Sequence, residues 1–366
     1  MIRRAILILG VVCVFASAEA QSLKPAVTPP RITGWLHTQG TQILDEQNNP
    51  VRLLGMGGPN LAAGQRPSKT QYDNISDWGF NAVRVIISWG NIEPTAPTKN
   101  ADGTLTHHWN NAFLDVLDDV MSEYGKRHVG VILTMAHGRW FVGPADSEFP
   151  TWLYESTAGG NQFRRDFLSN TGAGPVKPLD GFTEAWKTVA KRYADNPTLT
   201  GIDIMTEPGY KQGDDLDAFY ATVAKGIRSV NSHALIMFED MLPFRRQLIL
   251  KSPPPVENVV YSVHLYTKDW SHDGRPWMEL VSRQAEEWKV PIYVGEFNAF
   301  KGGLNVKNLP ANWQPETKMF LDYCKAHDVS WSFFTYEASG PAFSSIIAPD
   351  TGKPKEDLVK LLQSGF

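Results

Sequence analysis

From about residue 51 onward the chain alternates between two patterns. Short apolar runs close on glycine or a polar side chain, and longer stretches carry apolar positions three and four apart. The first pattern reads as buried parallel strands, the second as helices with one face on a core. Apolar runs open at Val51, Ala82, Val129, Gly201, Ala234, Val259, Ile292 and Ser330. Helical spacing covers Ser68–Trp78, with Ser68 as cap and Gly79 as stop, then Asn110–Arg127, Phe182–Tyr193, Asp214–Ser232 and a short stretch near Pro243–Leu250. It resumes over Pro276–Lys289, Gln314–His327 and Glu356–Gln363. Eight strands, each followed by helix, predict a (β/α)8 TIM barrel. A doubly wound open sheet would call for Gly-x-Gly-x-x-Gly after an early strand, and the sequence has none. Two short runs, Gly34–His37 and Gln42–Asp45, with a turn at Asn48-Asn49-Pro50, predict a β-hairpin that plugs the N-terminal end of the barrel. The connection from Ala136 to Asp180 is long enough to predict a functional or partly structured loop.

Composition adds limits. With 42% hydrophobic and 20% charged residues the chain has the makings of a packed core, and a net charge of -4 gives no electrostatic footprint for nucleic acid or an anionic membrane. The N-terminus pairs Arg3 and Arg4 with an apolar run from Ala5 to Ala16 and an Ala18-Glu19-Ala20 cleavage pattern, which predicts a secretion signal over 1–20. A flexible leader over 21–33 and one catalytic domain over 34–366 follow, in a secreted or periplasmic, monomeric protein. Cys13 would leave with the signal, so Cys324, in an apolar helical pattern near Met319, Phe320 and Tyr323, is expected to be a buried structural thiol.

In a barrel of this kind the side chains at the C-terminal strand ends face one pocket. Those ends supply Arg84 and Trp89, His137, Thr206 and Glu207, His264 and Tyr266, Glu296, and Phe334 with Tyr336. Glu207 and Glu296 each follow an apolar run, where a carboxylate is expensive unless the site uses it. Two such carboxyls are the minimum equipment for cleaving a glycosidic bond.

This set resembles glycoside hydrolase family 5, the retaining cellulases and mannanases, through Gly79-Phe-Asn-Ala-Val-Arg84, Ser88-Trp89, Glu93-Pro94, Glu207-Pro208, His264-x-Tyr266 and Gly295-Glu296-Phe297. The resemblance implies Glu207 as general acid/base and Glu296 as nucleophile. Arg84 and Tyr266 would hold the nucleophile ionised, and His137 and His264 would bind sugar. Three positions depart from the family pattern: Thr206 stands where the family has Asn, Thr134-Met-Ala-His137 replaces Asp-x-His-His, and Trp331-Ser-Phe-Phe334 replaces Trp-x-x-Trp. A hydroxyl at 206 offers one donor where the amide offers two. The sugar platform would then be Phe334 or Tyr336, which points to an atypical subgroup. Loop tryptophans 89, 140, 152, 270 and 277 are read either as a stacking cleft for sugar rings or as packing.

The resemblance implies a retaining β-glycosidase, with endo-β-1,4-glucanase as the first expectation. Mannan, xyloglucan or a glycolipid are alternative substrates, and transglycosylation an alternative outcome. A metal-dependent hydrolase would call for His-x-His after the first strand, whereas His107-His108 is adjacent and precedes a helix, so no metal and no cofactor are predicted. A catalytically silent carbohydrate-binding barrel is the rival from another class. Retention of both glutamates argues against it.

Overall fold

The computed structural model describes residues 23–136, 148–154, 159–171, 176–208, 215–240, 248–267, 269–298, 312–337 and 345–366. Its strands are β1 (His37–Gln39), β2 (Gln42–Leu44), β3 (Leu54–Asn60), β4 (Ala82–Ile87), β5 (Thr95–Lys99), β6 (Leu105–His108), β7 (Gly130–Met135), β8 (Leu199–Asp203), β9 (Leu235–Glu239), β10 (Val259–Leu265), β11 (Ile292–Phe297) and β12 (Ser330–Phe333). Eight of them close a parallel barrel in the order β10-β11-β12-β3-β4-β7-β8-β9. The predicted (β/α)8 fold is therefore the observed one.

Period-two alternation inside each strand explains how the barrel sorts its residues. On β4, Val83, Val85 and Ile87 join the core shared with the surrounding helices, while Ala82 belongs to a second apolar cluster with Ile132, Leu235, Met237, Val260 and Tyr293. That second cluster also contains Ile32, Leu36 and Ile43 from the leader and the β1–β2 hairpin. The hairpin therefore seals the barrel from below, as its sequence predicts. One step further along the same inward parity the side chains turn polar: Arg84, Thr134, Asp203, Glu239, Ser262 and His264 are all buried. Gly201 makes the lower layer possible, because a Cβ there would lie 2.7 Å from the Met237 methyl carbon.

Helices 69–77, 111–125, 178–192, 216–228, 275–288, 313–326 and 356–363 surround the ring, and Ser68 caps the first of them by accepting from Gln71 N–H. Where the sequence predicts a strand from Val51, pairing begins at Leu54, since Val51 and Leu53 serve the lower cluster first. The Asp214–Ser232 prediction narrows to 216–228. Most of the short helix expected near Pro243–Leu250 lies outside the described residues, and 248–250 are not helical. An antiparallel pair, β5–β6, and a five-residue π-turn over Trp270–Gly274 are features the apolar pattern does not announce. Cys324 is buried and free. Burial pushes its thiol far above the usual range, as expected of a structural cysteine.

Candidate active site

Arg84 is the centre of the polar layer. Its side chain is 1% exposed, and it donates from Nη1 to Glu296 Oε1 at 2.7 Å, from Nε to Asp203 Oδ2 at 2.9 Å, and from Nη2 to Thr206 Oγ1 at 2.9 Å. Thr206 Oγ1 also lies 2.7 Å from Thr134 Oγ1. A buried guanidinium is tolerable only when carboxylates surround it. Desolvation by burial opposes its charge, but Asp203 and Glu296 outweigh that and hold the proton more firmly than in water.

Glu296 is the penultimate residue of β11 and is 6% exposed. Its second oxygen, Oε2, accepts a 2.6 Å hydrogen bond from Tyr266 Oη, whose phenol is pushed well above its ordinary range by burial and by this carboxylate. One carboxylate thus receives a cationic donor on one oxygen and a phenolic donor on the other. Gly295 beside it is a packing requirement: a Cβ there would stand 3.1 Å from both His264 Nε2 and Ser262 Oγ.

Glu207 lies just beyond β8 with φ at 47°, in the left-handed region that non-glycine residues seldom occupy. His264 Nδ1 lies 3.0 Å from its Oε1 and 3.7 Å from Glu296 Oε2. Closest ligand atoms of Glu207, His264 and Glu296 all fall within 4.8 Å of one another. His264 is fully buried; burial works against its charge, but Glu239, Glu296 and Glu207 together push its pKa up to about 9.

The cleft above these groups holds about 200 Å³ and is lined by Asn60, Ile86, Ala136, Glu148, Thr206, Glu207, Tyr266, Glu296 and Phe334. Phe334, half-buried, follows β12 with a cis peptide to Thr335, and its ring lies 3.2 Å from where a Cβ on Gly57 would stand. Glu207, Glu296, Thr206, Tyr266 and Phe334 therefore meet in one cleft, with Arg84 and His264 beneath them. Thr206 directs its hydroxyl into the Arg84–Thr134 network.

Two sequence candidates stand elsewhere, as corrections. Trp89 has no exposed surface to offer a sugar; its Nε1 donates to Glu93 Oε2 at 3.1 Å and its ring packs edge-on against Phe149, Trp152 and Phe182. Tyr336 is 4% exposed, its ring stacked on Trp78 and its hydroxyl accepting from Asn74 Nδ2 at 2.9 Å. Trp152, Trp270 and Trp277 are buried as well, so packing is the reading that fits these loop tryptophans. Trp140 and His137 lie outside the described residues.

Three acidic residues escape the sequence reading. Asp203 and Glu239 occupy inward positions of β8 and β9, two residues beyond Gly201 and Met237, so strand parity is the signal that finds them. Glu148 has no such signal. Its carbonyl accepts from Gly90 N–H at 2.9 Å, and the loop comes that close because a Cβ on Gly90 would meet the same carbonyl at 3.0 Å. One of its oxygens, Oε2, is buried without a hydrogen-bond partner, and desolvation pushes its pKa up to about 7.

Comparison with known proteins agrees with this architecture. The model of the family described as cellulase (glycosyl hydrolase family 5) matches residues 44–340. An endoglucanase of Paenibacillus polymyxa is 22% identical, over 94% of this chain and 88% of its own. Among solved structures, a lactosyl-enzyme intermediate of endo-glycoceramidase II from Rhodococcus sp. superposes with a TM-score of 0.68 at 20% identity, covering 87% of this chain and 80% of that one. A cellotetraose complex of an endocellulase from Pyrococcus horikoshii gives 0.63 at 15% identity, covering 92% and 99%. At such identities the superpositions speak for the barrel, and the family match carries the assignment. The chain belongs to glycosyl hydrolase family 5 and is a glycoside hydrolase.

Proposed function

We propose that the chain cleaves β-linked glycans with retention of anomeric configuration, Glu296 acting as nucleophile and Glu207 as general acid/base. The observation that carries this reading is the approach of the two carboxyl groups. Their nearest oxygens lie within 4.8 Å, closer to the carboxyl separation of retaining enzymes, about 5–5.5 Å, than to the about 6.5–9.5 Å across which inverting enzymes place a water. The two environments also differ in kind. Glu296 accepts from Arg84 on one oxygen and from Tyr266 on the other, which fixes the orientation of the nucleophile, while the more exposed Glu207 lies beside the opening, where a leaving-group oxygen takes its proton. In the first step the Glu296 carboxylate attacks the anomeric carbon as Glu207 protonates the departing oxygen. In the second, Glu207 deprotonates a water that displaces the sugar from Glu296.

β-1,4-Glucan is the first substrate, on the strength of the cellulase family model and the endoglucanase relative. A glycolipid is the second reading, favoured by the superposition on endo-glycoceramidase II. The test is hydrolysis of β-1,4-glucan, mannan, xyloglucan, a glycolipid and aryl β-glycosides by the wild type, Glu207→Gln and Glu296→Gln, with the first-formed anomer read by NMR. Glu296→Gln should abolish turnover, and Glu207→Gln should lower it by roughly 10²–10⁴, the usual share of general acid–base catalysis. An inverted first product, or a wild type that binds glycan yet cleaves nothing, would sink the proposal.

A further inference from the structure

We propose that Glu239 is a positioning residue for the acid/base, holding Glu207 by its backbone and, through His264, by its carboxyl group. The inference rests on the assignment of Glu207 above and concerns a residue one barrel strand away from it.

Glu239 is the last residue of β9 and is fully buried. Its Oε2 accepts from the backbone N–H of Glu207 at 3.0 Å, tying down the residue whose φ of 47° is otherwise disfavoured. The same Oε2 lies 3.4 Å from His264 Nε2, an ion-pair distance, and the opposite nitrogen of that ring, Nδ1, lies 3.0 Å from Glu207 Oε1. A closed loop results: Glu239 to the Glu207 backbone, Glu239 to His264, and His264 back to the Glu207 side chain. Glu239 is itself fixed by a reciprocal pair with Tyr220, whose hydroxyl donates to the Glu239 carbonyl at 2.9 Å and accepts from its N–H at 3.0 Å.

A fully buried carboxylate that made only a packing contribution would be a poor choice, since an apolar residue serves at lower desolvation cost. Its use lies in what it does to the imidazole. Whether the proton between Glu239 and His264 sits on Nε2 or on the carboxyl group, the ring keeps a hydrogen on Nδ1 facing Glu207 Oε1. Oε1 then remains an acceptor, and Oε2 of Glu207 is left to carry the proton destined for the leaving group. Other charged or titratable groups facing the pair are Asp203 on β8, Arg84 on β4, Glu296 on β11 and the Tyr220 phenol. Arg84 is committed to Asp203 and Glu296, so among the described residues His264 is the cation within reach of Glu239 and Glu207. Burial holds the Glu239 carboxyl well above the ordinary glutamate range, and the three surrounding glutamates raise His264 in turn.

Glu239→Gln tests this, because the amide oxygen still accepts from Glu207 N–H while the charge beside His264 is gone. Kinetics are measured on two β-glycosides sharing one sugar, one with an activated nitrophenyl leaving group and one with an alkyl leaving group. The variant should lose roughly ten- to hundredfold in kcat/KM on the alkyl glycoside, part of the general acid's contribution, and far less on the nitrophenyl one. With the charge behind His264 removed, the alkaline limb of kcat/KM should move from its wild-type position. An equal loss on both substrates with an unmoved pH profile would reduce Glu239 to a structural residue. Should the variant fail to fold, the wild type decides: histidine NMR should show a His264 Nδ1–H shielded from exchange at pH 7, and a ring without a hydrogen on Nδ1 would overturn the inference. Glu207→Ala with azide separates the two proposals. If azide does not rescue it on the nitrophenyl glycoside, the assignment of Glu207 fails whatever Glu239 does. If azide does rescue it while Glu239→Gln keeps the wild-type profile, only the present inference fails.

Discussion

Glu148 shows how a single residue escapes a reading of strand ends. Nothing about Asp-Ser-Glu148-Phe-Pro marks a cleft residue; its place depends on the contact with Gly90 and on the aromatic cluster of Trp89, Phe149, Phe163 and Phe182 behind it. Glu207 and Glu296 are legible because a carboxylate at the end of an apolar run is costly by itself. Glu239 obeys the same rule at the end of β9, yet it escapes the sequence reading. Trp89 and Tyr336 mislead in the opposite direction, because whether an aromatic ring faces solvent or a neighbour is decided by tertiary packing. The pKa of Glu148 gives a stability prediction with a definite sign. Its folded value, about 7, lies above the ordinary glutamate value of 4.5. This carboxyl therefore favours the fold below pH 4.5, and that contribution is lost as pH rises through 7. Melting temperatures measured against pH should fall across this window more steeply for the wild type than for Glu148→Gln. Parallel curves would show that Glu148 ionises in the fold as it does in the unfolded chain.

At the scale of elements, the eight strands were readable because both of their faces are covered, which turns each into an apolar run with few interruptions. The β5–β6 pair was not, since Thr95–Lys99 and Leu105–His108 are mostly exposed and carry no such run. Strand β11 illustrates how an element sets the geometry of a residue near its end. Pairing with β10 shifts register between Val263 and His264, and pairing with β12 shifts between Val294 and Phe297. Gly295 sits inside both irregularities, with His264 and Ser262 against the space a side chain would take. Gly295→Ala should accordingly push His264 away from Glu207 and lower kcat by tenfold or more with KM little changed, roughly the effect of a 1 Å misplacement. Its melting temperature should stay close to that of the wild type; a large stability loss with normal kcat would place the strain in the barrel wall.

For the whole molecule, the lower end of the barrel is braced by chain segments far apart in sequence. Phe366 packs edge-on to Phe80 and stacks with Trp331, Gln363 donates to the carbonyls of Leu23 and Trp78, and Arg52 donates to that of Gly365. Phe366 is 6% exposed, so Phe366→Ala should remove about 3–5 kcal/mol of stability in denaturant titration, with activity under native conditions retained. A loss below about 1 kcal/mol would mean the site collapses around the gap. The fold itself survives extensive sequence change, as the superposition at 20% identity shows, because the alternation of covered faces is preserved by many residue choices.

The contacts of Arg84 carry a further meaning at this scale. One guanidinium rooted in β4 reaches Thr134 on β7, Asp203 on β8 and Glu296 on β11, so four staves of the ring share one fastening. Two strands, β12 and β3, stand between β11 and β4 in the ring. Glu296, the proposed nucleophile, acquires its cation only when that arc is complete. Turnover is therefore a census of finished barrels: in a refolding time course, the rate of product release counts molecules whose last strand has docked and passes over compact intermediates that spectroscopy would score as folded.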